Sequence, residues 1–267
     1  MCSSCPSRDV LRTSIQRRAI LECLDGGPRH KRDLVEALEC SRSTIDRGMR
    51  ELEQLELVRR RGGSDGRCQL TLLGRVVLSS CRRRVETVAA IDESSRVLEY
   101  VPSDAPMSTA LLEGADVSEP SPHAPYEPLQ QLVESIAVAD RIRAVITAER
   151  TPMTRVQLYN RTVDGTLDIE AVFTEELATF LSETHPGQVR DVMVDGGFDI
   201  YVTDSAPYEL MIIETGSESR VIVFVLNETG EVRGVITNET AAALEWATGV
   251  YRGFRADAQP LSPPVDD

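Results

Sequence analysis

Apolar residues recur at helical spacing from the start of the chain. Over residues 13–26, Ile15, Ala19, Ile20 and Leu24 fall on one face, and Gly26-Gly27-Pro28 ends the pattern. A second helix is predicted from Lys31 to Leu38, with Leu34, Val35 and Leu38 inward. After a turn at 39–41, Ser41 is placed to cap a third helix over 42–56. Its apolar face is Ile45, Met49, Leu52 and Leu55, and its other face shows Arg42, Ser43, Arg47 and Arg50. Leu57-Val58 then leads into Arg59-Arg60-Arg61, a Gly-Gly-Ser-Asp-Gly turn and Arg67-Cys68-Gln69-Leu70-Thr71, the pattern of a β-hairpin with a glycine-rich tip. From Leu72 to Val101 the pattern is helical again, apolar at Val76, Val77, Val85, Val88, Ile91 and Leu98.

Residues 102–127 hold prolines at 102, 106, 120, 122 and 125 and read as a connector. Beyond it, strand-like runs at Ile142–Thr147, Leu167–Phe173, Phe198–Val202, Glu209–Ile213, Arg220–Leu226 and Val232–Thr237 alternate with helical stretches at 127–139, 152–164, 174–195 and 240–256. Asn227-Glu-Thr-Gly230 marks the turn before the last strand. The expected class is α+β or α/β: an N-terminal winged helix-turn-helix domain followed by an α/β effector domain with a mixed sheet, ending in a hairpin. The expected boundaries are 1–80 for the winged helix, 81–126 for a linker helix and proline-rich connector, 127–258 for the effector and dimerisation domain, and 259–267 for a disordered tail.

Charge sharpens this division. Residues 1–84 carry 18 Lys+Arg and 11 Asp+Glu, a net of about +7, whereas residues 85–267 carry 11 and 32, about −21, within a total of −14. A basic N-terminal third on an acidic chain suits a surface meant for a polyanion. Lys31 is the single lysine, so 28 of the 29 basic residues are arginine. With a pI of 4.8 this composition resembles that of proteins from salt-accumulating archaea. At 1 M salt the Debye length is only about 3 Å, so DNA contacts there have to be short and well shaped. The start, Met-Cys-Ser-Ser-Cys-Pro, lacks the apolar run of a secretory signal, and no apolar run of about 18 residues is present. A cytoplasmic protein without membrane contact is expected.

The helices and hairpin supply the parts of a DNA reader. A third helix fits the major groove, and its donors would meet phosphates and guanine edges. Ser41, Arg42, Ser43, Thr44, Arg47 and Arg50 are its candidate contacts, and Arg59, Arg60, Arg61 and Arg67 are those of the wing. The bland alternative is that these arginines only solvate a small helical domain. The opposite sign of the rest of the chain favours double-stranded DNA as the partner. The runner-up is a non-catalytic adaptor whose winged helix binds protein.

Ser41-Arg-Ser-Thr-Ile-Asp-Arg-Gly-Met-Arg-Glu-Leu-Glu-Gln-Leu-Glu-Leu-Val, followed by Leu70-Thr-Leu-Leu-Gly-Arg, resembles the winged-helix head of haloarchaeal transcriptional regulators. Pro125-Tyr126-Glu127-Pro128, Leu210-Met-Ile-Ile, Val223–Val225, Glu231–Ile236 and Leu244-Glu-Trp-Ala…Tyr251-Arg are similar to their sensor domain, the middle domain of the methanogenesis and filamentation regulators. The resemblance implies a dimeric cytoplasmic transcription factor with an effector domain. The segment Thr151–Gly165, with Met153, Tyr159 and Arg161, departs from the pattern.

Other chemistry finds little support. Cys2 and Cys5 form a C-x-x-C without a second pair at zinc-finger spacing, and Cys23, Cys40, Cys68 and Cys81 read as small core residues. No metal and no cofactor are expected. The strand–helix order is compatible with a phospholipase-D-like half, but that chemistry needs a His-x-Lys, and the single lysine lies in the wrong domain. His123 and His185 stand alone, and no Gly-x-Ser-x-Gly, Walker loop or Gly-x-Gly-x-x-Gly occurs. No enzyme is expected. Tyr159, Phe173, Tyr201 and Tyr208 are the candidates for lining an effector pocket, with ordinary core packing as the equal alternative. Trp246 reads as a packing anchor.

Overall fold

A computed structural model of the chain describes residues 6–61, 66–121, 123, 127–194 and 197–262. The chain divides into two compact units, 1–88 and 89–267. The Cys2–Cys5 pair, the wing tip at 62–65, Pro125-Tyr126 and residues 263–267 of the expected tail fall outside the described residues.

The first unit begins with α1 (Pro6–Gln16) and α2 (Arg18–Asp25), where the sequence pattern predicts one helix. The break is at Arg17, whose N–H closes α1 on Thr13 at 2.9 Å while its carbonyl opens α2 by accepting from Ile20 at 3.0 Å. Re-aiming the chain there buries Ile20, Leu21 and Leu24 and leaves Ile15 outside. Helices α3 (Lys31–Ala37) and α4 (Arg42–Gln54) follow. Ser41 caps α4 as its sequence position predicts, accepting from the Thr44 N–H at 3.2 Å. At the other end, Glu56 takes a left-handed φ of 57°. Glu56 N–H donates to the Glu53 carbonyl and Leu57 N–H to that of Leu52, both at 3.0 Å. This is a Schellman closure, and its apolar residue Leu57 is buried.

From there β1 (Val58–Arg60) and β2 (Cys68–Leu70) pair antiparallel, with Arg59 opposite Gln69. Thr71 then starts α5 (Leu72–Leu98), its hydroxyl accepting from the Gly74 N–H at 2.9 Å. A core of Leu21, Leu34, Ile45, Met49, Leu52 and Leu78 joins these elements into a winged helix. Full burial of each such side chain is worth roughly 1.5–3 kcal/mol.

In the second unit, α6 (Thr109–Leu112) and β3 (Asp116–Ser118) come first. Then follow α7 (Glu127–Val138), β4 (Arg141–Ile146), α8 (Pro152–Val163), β5 (Asp168–Thr174), α9 (Glu175–Thr184), α10 (Pro186–Val194) and β6 (Phe198–Thr203). The chain finishes with β7 (Glu209–Thr215), β8 (Glu218–Leu226), β9 (Val232–Asn238), α11 (Ala241–Asp257) and β10 (Gln259–Pro260). One eight-stranded sheet has the order β10-β6-β5-β4-β7-β8-β9-β3. β4, β5 and β6 run parallel, and every other pairing is antiparallel.

Strand alternation divides the sheet residues between two cores. Ile142, Ala171, Phe173, Ile200 and Phe224 meet α7–α10 on one face. Val145, Val172, Val223 and Ile236 meet α11, α6 and Val97 on the other. The result is a three-layer α/β sandwich with a mixed sheet.

Four expectations need correction. The segment expected as a connector supplies α6 and β3, because Leu111 and Leu112 are buried and Asp116–Ser118 pair with β9. The expected terminal hairpin is a run of three antiparallel strands, β7–β9, with β3 added. The stretch 174–195 is two helices, α9 and α10, divided at His185-Pro186, since proline lacks the N–H to continue α9. Finally, the expected disordered tail begins with an ordered strand: Gln259 and Pro260 pair with β6, and Leu261 N–H donates to Ile200 at 2.9 Å.

Candidate nucleic-acid interface and effector cavity

The outer face of α4 carries the residues expected there. Ser41, Arg42, Ser43, Arg47 and Arg50 are exposed and Thr44 is half-buried, while Ile45, Gly48 and Met49 on the opposite side are buried. Ser41 Oγ sits 2.9 Å from Ser43 Oγ and 2.8 Å from Thr44 Oγ1. Arg50 Nε donates to the Asp46 carbonyl at 3.2 Å. Arg47 is exposed, with the Glu51 carboxylate as a through-space charge partner.

Sequence reasoning passed over Asp46, an acid in the middle of this basic face. The chain's one lysine holds it: Lys31 Nζ lies 2.8 Å from Asp46 Oδ1. That hydrogen bond, with the lysine's charge behind it, lowers the Asp46 pKa below the ordinary carboxylate value. Arg42 Nε adds a looser approach at 3.9 Å. The face therefore presents arginine donors with Asp46, the acid among them, paired from α3. The solitary lysine was the available signal in the sequence.

The wing carries Arg59 and Arg60 on β1 and Arg61 and Arg67 beside its strands, all exposed. With its amide oxygen turned inward, Gln69 accepts from Arg59 Nε at 3.0 Å. Arg60 Nε approaches Glu53 at 3.5 Å. Arg61 N–H donates to the Arg67 carbonyl at 2.8 Å, and Arg67 Nε reaches His30 Nε2 at 3.4 Å. The wing's basic side chains are thus held along a hairpin anchored by the buried Val58, Cys68 and Leu70.

The second unit contains a cavity of about 110 Å³ between the sheet and α8–α10. Of the four aromatic candidates, Tyr159 and Phe173 line it. Tyr201 and Tyr208 belong to the opposite face and are corrected as pocket residues. The cause is strand parity: Ile200 faces the cavity side, so Tyr201 cannot. Tyr201 instead lies under Arg255, 3.2 Å from ring centroid to guanidinium carbon. Tyr208 is buried, donates to the Pro106 carbonyl, and burial pushes its pKa up strongly. Tyr159 donates to Asp191 at 2.9 Å, and that bond raises its pKa.

The cavity's polar rim is built from charges far apart in sequence. Fully buried Glu209 accepts from Arg150 at 2.8 Å, from the Thr147 and Ala148 N–H groups at 3.0 Å, and from Thr147 Oγ1 at 2.9 Å. Arg150 Nη1 also donates to the Gly230 carbonyl at 2.7 Å, tying the β8–β9 turn to the end of β4. Arg155 pairs with Glu149 at 3.1 Å and donates to Gln188. Among the described residues no helix is long and apolar enough to cross a membrane.

Two family models match the sequence. Residues 125–257 match the methanogenesis regulatory protein FilR1, middle domain, and residues 7–93 match the HVO_A0261 N-terminal domain. No curated protein matches the chain. Among solved structures, TrmBL2, an archaeal chromatin protein described with a novel mode of DNA binding, is similar at 13% identity and a TM-score of 0.41, over 92% of this chain and 94% of that one. NucT from Helicobacter pylori is similar at 9% identity and a TM-score of 0.42, over 55% of this chain and 98% of that one. Nuc from Salmonella typhimurium, a phospholipase D family member, is similar at 14% identity and 0.42, over 55% and 97%. Scores of this size transfer no function.

Proposed function

We propose that this chain, whose residues 125–257 match the middle domain of the methanogenesis regulatory protein FilR1, is a transcription regulator that reads DNA sequence-specifically as a homodimer under the control of an effector bound by its second unit. The observation that carries this reading is the exposed arginine face of α4, Arg42, Arg47 and Arg50, with Asp46 neutralised by Lys31. Base-edge contacts come from α4, and the wing arginines hold phosphates. A single winged helix reads few base pairs, so a dimer doubles the site. The reading places the protein in a salt-rich cytoplasm and gives it no reaction of its own, in keeping with a sequence that lacks the His-x-Lys of phospholipase D chemistry.

Genomic footprinting by chromatin immunoprecipitation supplies the operator. Fluorescence anisotropy with that operator and with random DNA in molar KCl then tests the reading. Tight, operator-selective binding is expected. Equal weak binding to both would overturn sequence-specific regulation.

A further inference from the structure

The cavity beside α8–α10 combines a largely carbon lining with three charged residues, Glu149, Arg150 and Arg155. Its wall is carbon, built from side chains such as Leu158, Leu177, Val189 and Ile200. In a chain that is 4% aromatic, the rings of Tyr159, Phe173 and Phe198 all stand at this one cavity. Phe173 and Phe198 meet edge to face, centroids 6.0 Å apart at 82°, which leaves ring edge and face for a third aromatic partner. Met211 adds a thioether, which adapts its shape and attracts aromatic edges. A volume of about 110 Å³ is on the order of the cavities that admit a single benzene ring.

The charged side chains that line the cavity are already matched. Arg155 is held by Glu149, Arg150 by Glu209, and Tyr159 donates to Asp191. An ionic ligand would have to break one of these pairs or enter the carbon wall uncompensated, and both are unfavourable. The half-buried His185 ring lines the same cavity and makes no hydrogen bond to another described residue. One of its ring nitrogens can donate to, or the other accept from, a ligand hydroxyl.

We infer that this cavity takes a small, neutral, single-ring aromatic molecule bearing one hydroxyl, a phenol, with its ring against Phe173, Phe198 and Met211 and its hydroxyl at His185. The inference gives the effector its chemical class and rests on the proposed effector control only for its regulatory consequence.

Calorimetric titration of the full chain with phenol, toluene, cyclohexanol and benzoate tests it. One phenol per chain is expected, with toluene and cyclohexanol weaker and benzoate weaker than phenol by about tenfold or more. Leu181→Phe, placed at the cavity wall, should fill it and remove phenol binding. His185→Ala should weaken phenol by roughly three- to tenfold and leave toluene unchanged, a contrast that a packing defect would not produce. If Leu181→Phe fails to fold, the His185→Ala contrast still decides. No phenol binding, benzoate or cyclohexanol binding as tightly as phenol, or phenol affinity untouched by His185→Ala would each overturn the inference. Operator affinity measured with and without phenol separates the two readings: phenol binding with unchanged DNA affinity removes effector control and leaves the ligand assignment standing.

Discussion

Gly74 in the first turn of α5 passes directly against the backbone of Leu57: a Cβ built on Gly74 would lie 2.9 Å from the Leu57 carbonyl carbon and closer still to its oxygen. The obstacle is backbone, so it cannot swing aside. The same carbonyl accepts from the Thr71 N–H at 3.0 Å, and Thr71 in turn caps α5. Helix, cap and wing therefore share one tight junction. We expect Gly74→Ala to destabilise the first unit by roughly 1–3 kcal/mol, as forced overpacking does. Thermal denaturation of the full chain should show the loss in the transition of the first unit, and an unchanged melting profile would mean that α5 and β1 can separate freely.

Arg47→Ala and Arg50→Ala are each expected to weaken operator binding by roughly 1–3 kcal/mol, the size of one base-edge interaction. Both side chains are exposed on α4, so thermal stability should barely move. Anisotropy titrations on the folded variants check this. Wild-type affinity in either would move the recognition face elsewhere.

The periodic elements were legible in the sequence because their signals are local. Ser41 at its cap, the α4 stripe of Ile45, Met49 and Leu52, and the six strands from β4 to β9 all follow from spacing alone. What escaped depends on partners distant in the chain. Asp116–Ser118 becomes β3 only because Thr237, Ile236 and Val235 offer an edge to it. Arg17 breaks the first helix where Ile20 must turn inward. The tyrosine candidates separated because period-2 alternation says that Ile200 and Tyr201 face opposite ways but not which way leads to a cavity. Gly74 stood within a quoted motif, yet its reason is the approach of Leu57, which no spacing encodes. His185 ends α9, and its place at the cavity becomes visible only once α10 folds back over the sheet.

Lys31→Met should weaken DNA binding although Lys31 is not on α4. Removing its ammonium frees the Asp46 carboxylate on a surface that meets phosphates, so the loss should be similar for operator and random DNA. The pair also gives a pH signature. Asp46 has a lowered folded pKa, so its contribution to stability is present above the unfolded carboxylate value near 3.9 and is lost as pH falls through the folded value. Acid melts of wild type and Lys31→Met should therefore differ most at neutral pH and converge under acid. Curves that stay equally far apart at all pH values would place the effect of Lys31 outside this pair.

Neutralising Arg59, Arg60 and Arg61 together tests the wing. A hairpin that holds phosphates carries little base information, so affinity should fall for every sequence and the salt slope should shrink by about 1 for each phosphate the wing no longer neutralises. The informative comparison is operator against random DNA across a KCl series. A loss confined to the operator would show that the wing reads bases in a groove.

Dimerisation offers the last test. Helix α5 carries Val85, Val88 and Ile91 as exposed apolar residues, with Val88 at 63%. Their spacing of three residues places them along one side of the helix, where a second copy could cover them. In sequence, Arg84 precedes the stripe and Glu86, Asp92 and Glu93 lie within or beyond it, so an antiparallel or staggered partner offers opposite charges. In molar salt such pairs are screened and apolar burial must supply most of the association. Val88→Glu should therefore convert a dimer to a monomer that still folds, because within its own chain the side chain is mostly exposed. It should also cost operator affinity more than random-DNA affinity, since only the operator presents two half-sites. Light scattering in high salt reads the first effect and anisotropy the second. A Val88→Glu protein that remains dimeric would assign the interface to another surface and leave the α5 stripe without a role in assembly.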